Sequence, residues 1–134
     1  MLLDLCGPVA VDQSASSAPL RAGIAGLPTD SCGERGYPAY LLAEAFAQIA
    51  CRSAQILVPL ADRRYLPATT RGFELLAPLD GALADVRLTA ECLRARPLPE
   101  FACRLVAADE TILARATVVV APAPIARETA EVVP

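Results

Sequence analysis

Apolar and polar residues follow two different periods along this chain, and each period predicts one kind of element. Residues 38–57 are rich in strong helix formers, and Pro38 suits the first turn of a helix. We expect this helix to end near Leu57, before Pro59. Its polar residues recur at spacings of three and four, so they share one narrow face, and other structure is expected to surround the rest. These residues are Tyr40, Glu44, Gln48, Arg52 and Gln55.

Strands are predicted on both sides of this helix. Before it, residues 2–11 form an apolar strand that breaks near Gly7 and Pro8, and a turn and a short second strand follow at 14–17 and 19–25. Gly, Pro, Asp and Ser mark residues 26–36 as a loop. After the helix, turn residues separate four predicted strands, at 69–76, 82–93, 100–107 and 111–121.

The order of these elements predicts an α+β domain. Its last three strands, joined by short turns, form an antiparallel meander, and the curved antiparallel sheet wraps around one long central helix. Residues 1–121 are assigned to this domain and 122–134 to a Pro- and Ala-rich tail. A single sheet leaves unpaired edge strands, which a second copy would cover, so we expect a dimer.

Composition excludes several kinds of site and partner. The net charge of -3 without a basic tract argues against nucleic acid, and no apolar stretch is long enough to span a membrane. The five cysteines include no CxxC pair, so no zinc site is indicated, and we expect reduced thiols in the cytoplasm. The chain has no histidine, which excludes an imidazole base and a histidine metal site. No cofactor is indicated.

Glu44 is the candidate reactive group. It is the single acid in the apolar run from 38 to 49, and burying an ionised carboxylate without a partner is costly. Two interpretations follow: the side chain faces solvent at the one open edge of the helix, or it is a desolvated carboxylate in a tunnel. Gln48 lies one turn on and could hydrogen-bond either Glu44 or an acyl chain.

The helix resembles that of the hotdog-fold 3-hydroxyacyl-acyl carrier protein dehydratases. Their helix typically reads P-G-V-L-x-x-E-A-x-A-Q, and residues 38–48, PAYLLAEAFAQ, fit it without a gap. The dehydratase-like subgroup of aryl polyene biosynthesis is similar also at the helix start, P-A-W, and in a strand G-T-R-x-Y-E, which residues 68–74, ATTRGFE, approximate. The resemblance implies a hotdog fold and an acyl thioester, on an acyl carrier protein or on CoA, as substrate.

The resemblance also implies roles for individual residues. In the family, the partner subunit contributes a helix acid that acts on the departing hydroxyl, and this acid corresponds to Glu44. The amides that polarise the thioester carbonyl follow Pro38, at Ala39 and Tyr40. The loop histidine that removes the α-proton is missing, and its place falls near Asp30. Asp30 or Cys32 could replace it, or both are ordinary loop residues.

Three arginines are candidate contacts for the carrier of the substrate. Arg63, Arg64 and Arg71 could contact an acidic carrier protein or the phosphate of a pantetheine arm, or be solvated arginines at strand edges.

The leading hypothesis is an acyl-thioester-binding protein of the dehydratase type that is weakly active, or is a non-catalytic partner in a homodimer or a heterodimer with a hotdog homologue. The alternatives are a thioesterase that uses Glu44 as base or nucleophile, and a dehydratase that uses Asp30 or Cys32.

Overall fold

The computed structural model describes residues 5–12, 15–20, 39–77 and 86–124, which contain one helix and one sheet. The antiparallel strands of the sheet follow the order β1-β2-β4-β5-β6-β3. The predicted combination of one long helix with an antiparallel sheet is therefore confirmed. The elements are α1 (Ala39–Leu57), β1 (Ala10–Asp12), β2 (Ala15–Pro19), β3 (Arg63–Leu75), β4 (Arg87–Arg94), β5 (Glu100–Val106) and β6 (Ile112–Pro124).

The hydrophobic core lies between α1 and the sheet. Phe101, Cys103 and Leu105 alternate along β5 and are completely buried, so they face the helix, because alternate residues of a strand point to opposite faces. The helix contacts strands β2 to β6. The rings of Phe46 in α1 and Phe73 in β3 lie 6.0 Å apart between centroids. The opposite side of the sheet, which carries Glu100 and Arg104, is called the outer face below.

The helix and the meander follow the predicted pattern closely. Helix α1 runs from Ala39 to Leu57, and β4, β5 and β6 pair in sequence order. β3 begins at Arg63, six residues before its predicted start at 69, because an edge strand tolerates Pro67. The amide of Val120 donates to Pro99 O at 3.0 Å and so points away from β3. Pro67, opposite Val120, therefore turns its nitrogen to the free edge, where no ladder bond is lost.

The serine-rich segment before the helix differs from its prediction. The expected turn at 14–17 is wrong, since Ala15–Pro19 is strand β2 and Ser16 is buried between Val11 and Ala90. Pairing on both sides overrides the local preference of serine for turns. The expected break in the first strand is present: Cys6 bridges Leu20, and β1 starts only at Ala10. Residues 122–124 of the predicted tail belong to β6, which ends at Pro124. The predicted loop at 26–36 and residues 125–134 of the tail lie outside the described residues.

Candidate functional site

Glu44 lies in the second turn of α1, at the border between the core and the open side of the helix. Its neighbours Leu42, Ala45 and Phe46 are completely buried, whereas Glu44 is half-buried. Its position is thus intermediate between the two interpretations of the sequence. Within the described residues no arginine forms an ion pair with Glu44. The structure therefore holds a carboxylate beside the core whose charge no described cation neutralises.

Gln48 connects Glu44 to the N-terminal segment of the chain. Its side-chain carbonyl oxygen, Oε1, accepts hydrogen bonds from the backbone amides of Leu5 at 2.8 Å and Cys6 at 3.0 Å. Its amide nitrogen, Nε2, donates to Glu44 Oε2 at 3.4 Å. One helical turn separates Gln48 from Glu44, which brings the two side chains together. Of the two contacts considered for Gln48, the structure contains the one to Glu44.

Arg52 continues this arrangement along the helix. Its guanidinium donates to the carbonyl oxygen of Cys6, next to the amides that Gln48 binds. Leu5 and Cys6 are both fully buried, so their backbone groups need such partners. The sequence does not predict this contact, because backbone hydrogen bonds to residues more than 40 positions away leave no pattern in side-chain types.

The predicted oxyanion site falls at the start of the helix. Ala39 and Tyr40 are the first two residues of α1, and the first amides of a helix lack intrahelical acceptors. Tyr40 is 61% exposed. Pro38, Asp30 and Cys32 lie outside the described residues. The roles of these residues in binding and catalysis remain predictions.

The thiol nearest to the site on the helix is a poor nucleophile. Cys51 is half-buried on the same side of α1 as Glu44. Burial and then the Glu44 carboxylate raise the pKa of Cys51 to about 11, against the opposing effect of Arg52. Burial also raises the pKa of Cys103, to about 12. Near neutral pH both groups are therefore protonated thiols, which leaves Glu44 as the reactive candidate on this side of the helix.

The three predicted arginines are not gathered around Glu44. Arg63 and Arg64 are exposed at the start of β3, where the side chain of Gln55 donates to Arg63 O at 3.5 Å. Gln55 lies 11 residues after Glu44, or about 16 Å along the helix axis. Arg71 is engaged on the outer face. Its guanidinium is 2.7 Å from the Glu100 carboxylate.

Glu100 forms a charged cluster that the sequence did not predict. Its side chain is 9% exposed, and it pairs with Arg71 from β3 and Arg94 from β4. Because Glu100 alternates with the core residue Phe101, it lies on the outer face of the sheet. A groove of about 290 Å³ on this face is lined by residues that include Arg87, Thr89 and Arg104. No helix residue lines it, so this groove is not the site of Glu44.

No group of three or more His, Cys, Asp or Glu side chains is placed to hold a metal ion within the described residues. In the same part of the chain no helix is long and apolar enough to cross a membrane.

Solved structures share the fold of this chain at low sequence identity. AziG of S. sahachiroi superposes with a TM-score of 0.65 at 18% identity, over 87% of this chain and 89% of its own. The thioesterase HI1161 of Haemophilus influenzae gives a TM-score of 0.63 at 9% identity, with 88% and 78% covered. Streptococcus mutans smu.793, bound to acetyl CoA, gives 0.64 at 12% identity, with 92% and 93% covered.

Comparisons of sequence add no closer relative. No protein-family model matches the chain, and no curated protein matches it. The structural neighbours are hotdog proteins, and the described residues of this chain form the same architecture, one helix packed on a six-stranded antiparallel sheet. The chain therefore has a hotdog fold.

Proposed function

We propose that this chain binds acyl thioesters and hydrolyses them, with Glu44 as the reacting carboxylate. The observation that carries the proposal is the place of Glu44, half-buried on the central helix and unpaired with any arginine of the described residues. The fold supports it, because the neighbours include a thioesterase and a protein bound to acetyl CoA. The helix motif from 38 to 48, which resembles that of an acyl-thioester enzyme family, supports it independently.

Hydrolysis is the reaction that the residues of this chain can perform without a second protein. Glu44 takes a proton from a water molecule, and the water oxygen bonds to the thioester carbonyl carbon. Amides at the start of α1 stabilise the oxyanion that forms. The carbon–sulfur bond then breaks, the thiol leaves with the proton, and a carboxylic acid remains. No histidine is required, in accordance with its absence from the chain.

The experiment is an assay of thiol release from a series of acyl-CoA and acyl carrier protein substrates. Wild-type protein is expected to release thiol, and Glu44→Gln to lose this activity while retaining its fold by circular dichroism. Glu91→Gln is the matched control, since Glu91 is exposed on the outer face, and it is expected to behave as wild type. Equal rates in wild type and Glu44→Gln would contradict the proposal.

A second candidate function is that of a non-catalytic partner in dehydration of 3-hydroxyacyl thioesters. The observation that favours it is the gapless match of the helix motif, combined with the absence of the histidine that dehydration uses. A hotdog homologue would then supply the histidine, and Glu44 would act on the departing hydroxyl. Co-expression with such a homologue should yield a heterodimer that dehydrates 3-hydroxyacyl carrier protein. Failure of the two chains to associate would exclude this function.

The proposed assembly is a dimer through β3. Among the described strands, β3 lies at one end of the sheet and pairs only with β6, and its Leu66 and Leu75 are 44% and 47% exposed. A long edge strand with exposed apolar side chains invites pairing with a second chain. Analytical ultracentrifugation should give twice the monomer mass of 14.0 kDa. A charge inserted by Leu75→Glu should shift the protein towards monomer, whereas Leu93→Glu in β4 should not.

The proposed carrier contact involves Arg63 and Arg64, which are exposed and lie at the end of the molecule where α1 stops. Replacing both by alanine should raise KM for acyl carrier protein more than KM for the acyl pantetheine alone. Equal effects on the two substrates would leave these residues without a role in carrier recognition.

A further inference from the structure

Within the described residues, the side chain of Gln48 links the N-terminal segment to Glu44. We infer that Gln48 is a positioning residue for Glu44, and that the backbone of Leu5 and Cys6 sets the direction of its amide. The inference rests on the proposed function, because it concerns the carboxylate to which that function assigns the chemistry. It adds a residue that acts on the substrate only through Glu44, and a segment about 40 positions away in sequence.

The orientation of the Gln48 amide follows from its partners. Two backbone N–H groups point at one of its ends, at 2.8 and 3.0 Å. Only the carbonyl oxygen can accept from both, so the opposite end must carry the NH₂ group. That end lies 3.4 Å from Glu44 Oε2. A flipped amide would place its NH₂ group against the two backbone N–H donors and its oxygen against the Glu44 carboxylate. The arrangement therefore permits one orientation.

The hydrogen bond from Gln48 restrains the orientation of the Glu44 carboxylate and contributes little binding energy. At 3.4 Å the bond from Gln48 to Glu44 is long, and its energy is small. Its effect is directional, since one oxygen of Glu44 faces a donor, whereas no described residue donates to the second oxygen. Arg52 adds to the restraint by binding the carbonyl oxygen of Cys6, which helps to hold the segment on the helix.

The test is a pair of substitutions at Gln48 with a matched pair at Gln55. Gln48→Glu retains an oxygen for the amides of Leu5 and Cys6 but replaces the donor to Glu44 by a like charge. Gln48→Met removes both contacts at similar length. Gln55 lies on the same side of α1, and its side chain contacts Arg63 O, so Gln55→Glu and Gln55→Met control for charge and for helix propensity.

In thioester hydrolysis, both Gln48 variants are expected to lower kcat by about 10- to 100-fold with KM little changed, the size of a loss of alignment. Gln48→Glu should also move the rise of the pH–rate profile to higher pH, because a second carboxylate disfavours the ionised form of the first. Cys51 and Arg52 are the charged or titratable groups of α1 that interact with this part of the site. Cys51, with its pKa raised to about 11, stays protonated near neutral pH. The Gln55 variants should match wild type.

The possible results separate the inference from the function on which it rests. If Glu44→Gln abolishes hydrolysis and both Gln48 variants retain the wild-type kcat and pH profile, the positioning role is wrong and the function stands. If Glu44→Gln leaves the rate unchanged, the function fails first. Should Gln48→Met not fold, Gln48→Glu decides alone, because it keeps the acceptor for the buried amides. An unshifted pH profile with wild-type kcat in that variant overturns the inference.

Discussion

Two carboxylates of this protein occupy opposite surroundings. Glu100 on the outer face is 9% exposed and pairs with two arginines, each more than half exposed. Glu44 on the central helix is half-buried and touches the amide of Gln48. The more deeply buried acid is therefore the neutralised one. The comparison shows that burial alone does not mark a reactive carboxylate; what distinguishes Glu44 is a border position with no described cation beside it.

Charge-preserving substitutions should separate the two acids most strongly. Glu44→Asp keeps the charge but withdraws the carboxylate by about 1.5 Å, one carbon–carbon bond. Since a displacement of this size can cost about 100-fold in rate, we expect kcat for thioester hydrolysis to fall by that order. Glu100→Asp makes the same change on the outer face and should leave kcat unchanged. Equal losses in both variants would mean that the rate reports general damage to the fold.

The stability of the fold should depend on the two acids in the reverse order, with Glu100 more important than Glu44. Glu100→Gln removes the charge that holds Arg71 and Arg94, and charge-assisted hydrogen bonds contribute about 1.5–3 kcal/mol each. Because both arginines can return to water, the total loss in the free energy of unfolding should be about 1.5–3 kcal/mol. Glu44→Gln should change the free energy of unfolding by less than about 0.5 kcal/mol. Urea denaturation measures both, and a larger loss for Glu44→Gln would make that residue structural.

What the sequence could predict follows from the range of each interaction. The helix from Ala39 to Leu57 was predictable, because its periodic polar stripe and its flanking prolines are local signals. The meander was predictable because its turns contain Pro97, Pro99 and Asp109. Strand β2 was missed, since the serines of 14–17 favour a turn locally and only pairing with β1 and β4 makes them a strand.

Within the candidate site, the sequence indicated which residues share a helix face but not what holds them. Glu44 and Gln48 were identified from their spacing and from the motif. The amides that orient Gln48 belong to Leu5 and Cys6, and no property of these side chains announces the contact. In the same way, the sequence left Arg71 open between a contact to an acidic carrier protein or a phosphate and a solvated arginine at a strand edge. Its partner Glu100 could not be predicted, because it lies 29 residues away on another strand.

A weaker effect on stability is expected from the thiols of Cys51 and Cys103. The pKa values of Cys51 and Cys103 are raised from the ordinary 9.0 to about 11 and about 12, mainly by burial. The folded protein therefore holds these protons more tightly than the unfolded chain. Their contribution to stability is complete below pH 9 and is lost as pH rises through the folded values. Urea midpoints between pH 8 and 11 should fall less steeply in Cys103→Ala than in Cys92→Ala, and parallel slopes would contradict this.

The smallest effect tests the electric field of Glu44 directly. After burial, the Glu44 carboxylate is the next cause that raises the pKa of Cys51. Glu44→Gln removes this charge, so the pKa of Cys51 should decrease, and alkylation by iodoacetamide should begin at lower pH. Peptide mass spectrometry distinguishes this thiol from those of Cys6 and Cys103, which are buried. Glu100→Gln, on the far side of the sheet, should leave the profile unchanged. A shift in that variant but not in Glu44→Gln would mean that the two carboxylates have been assigned to the wrong sides of the sheet.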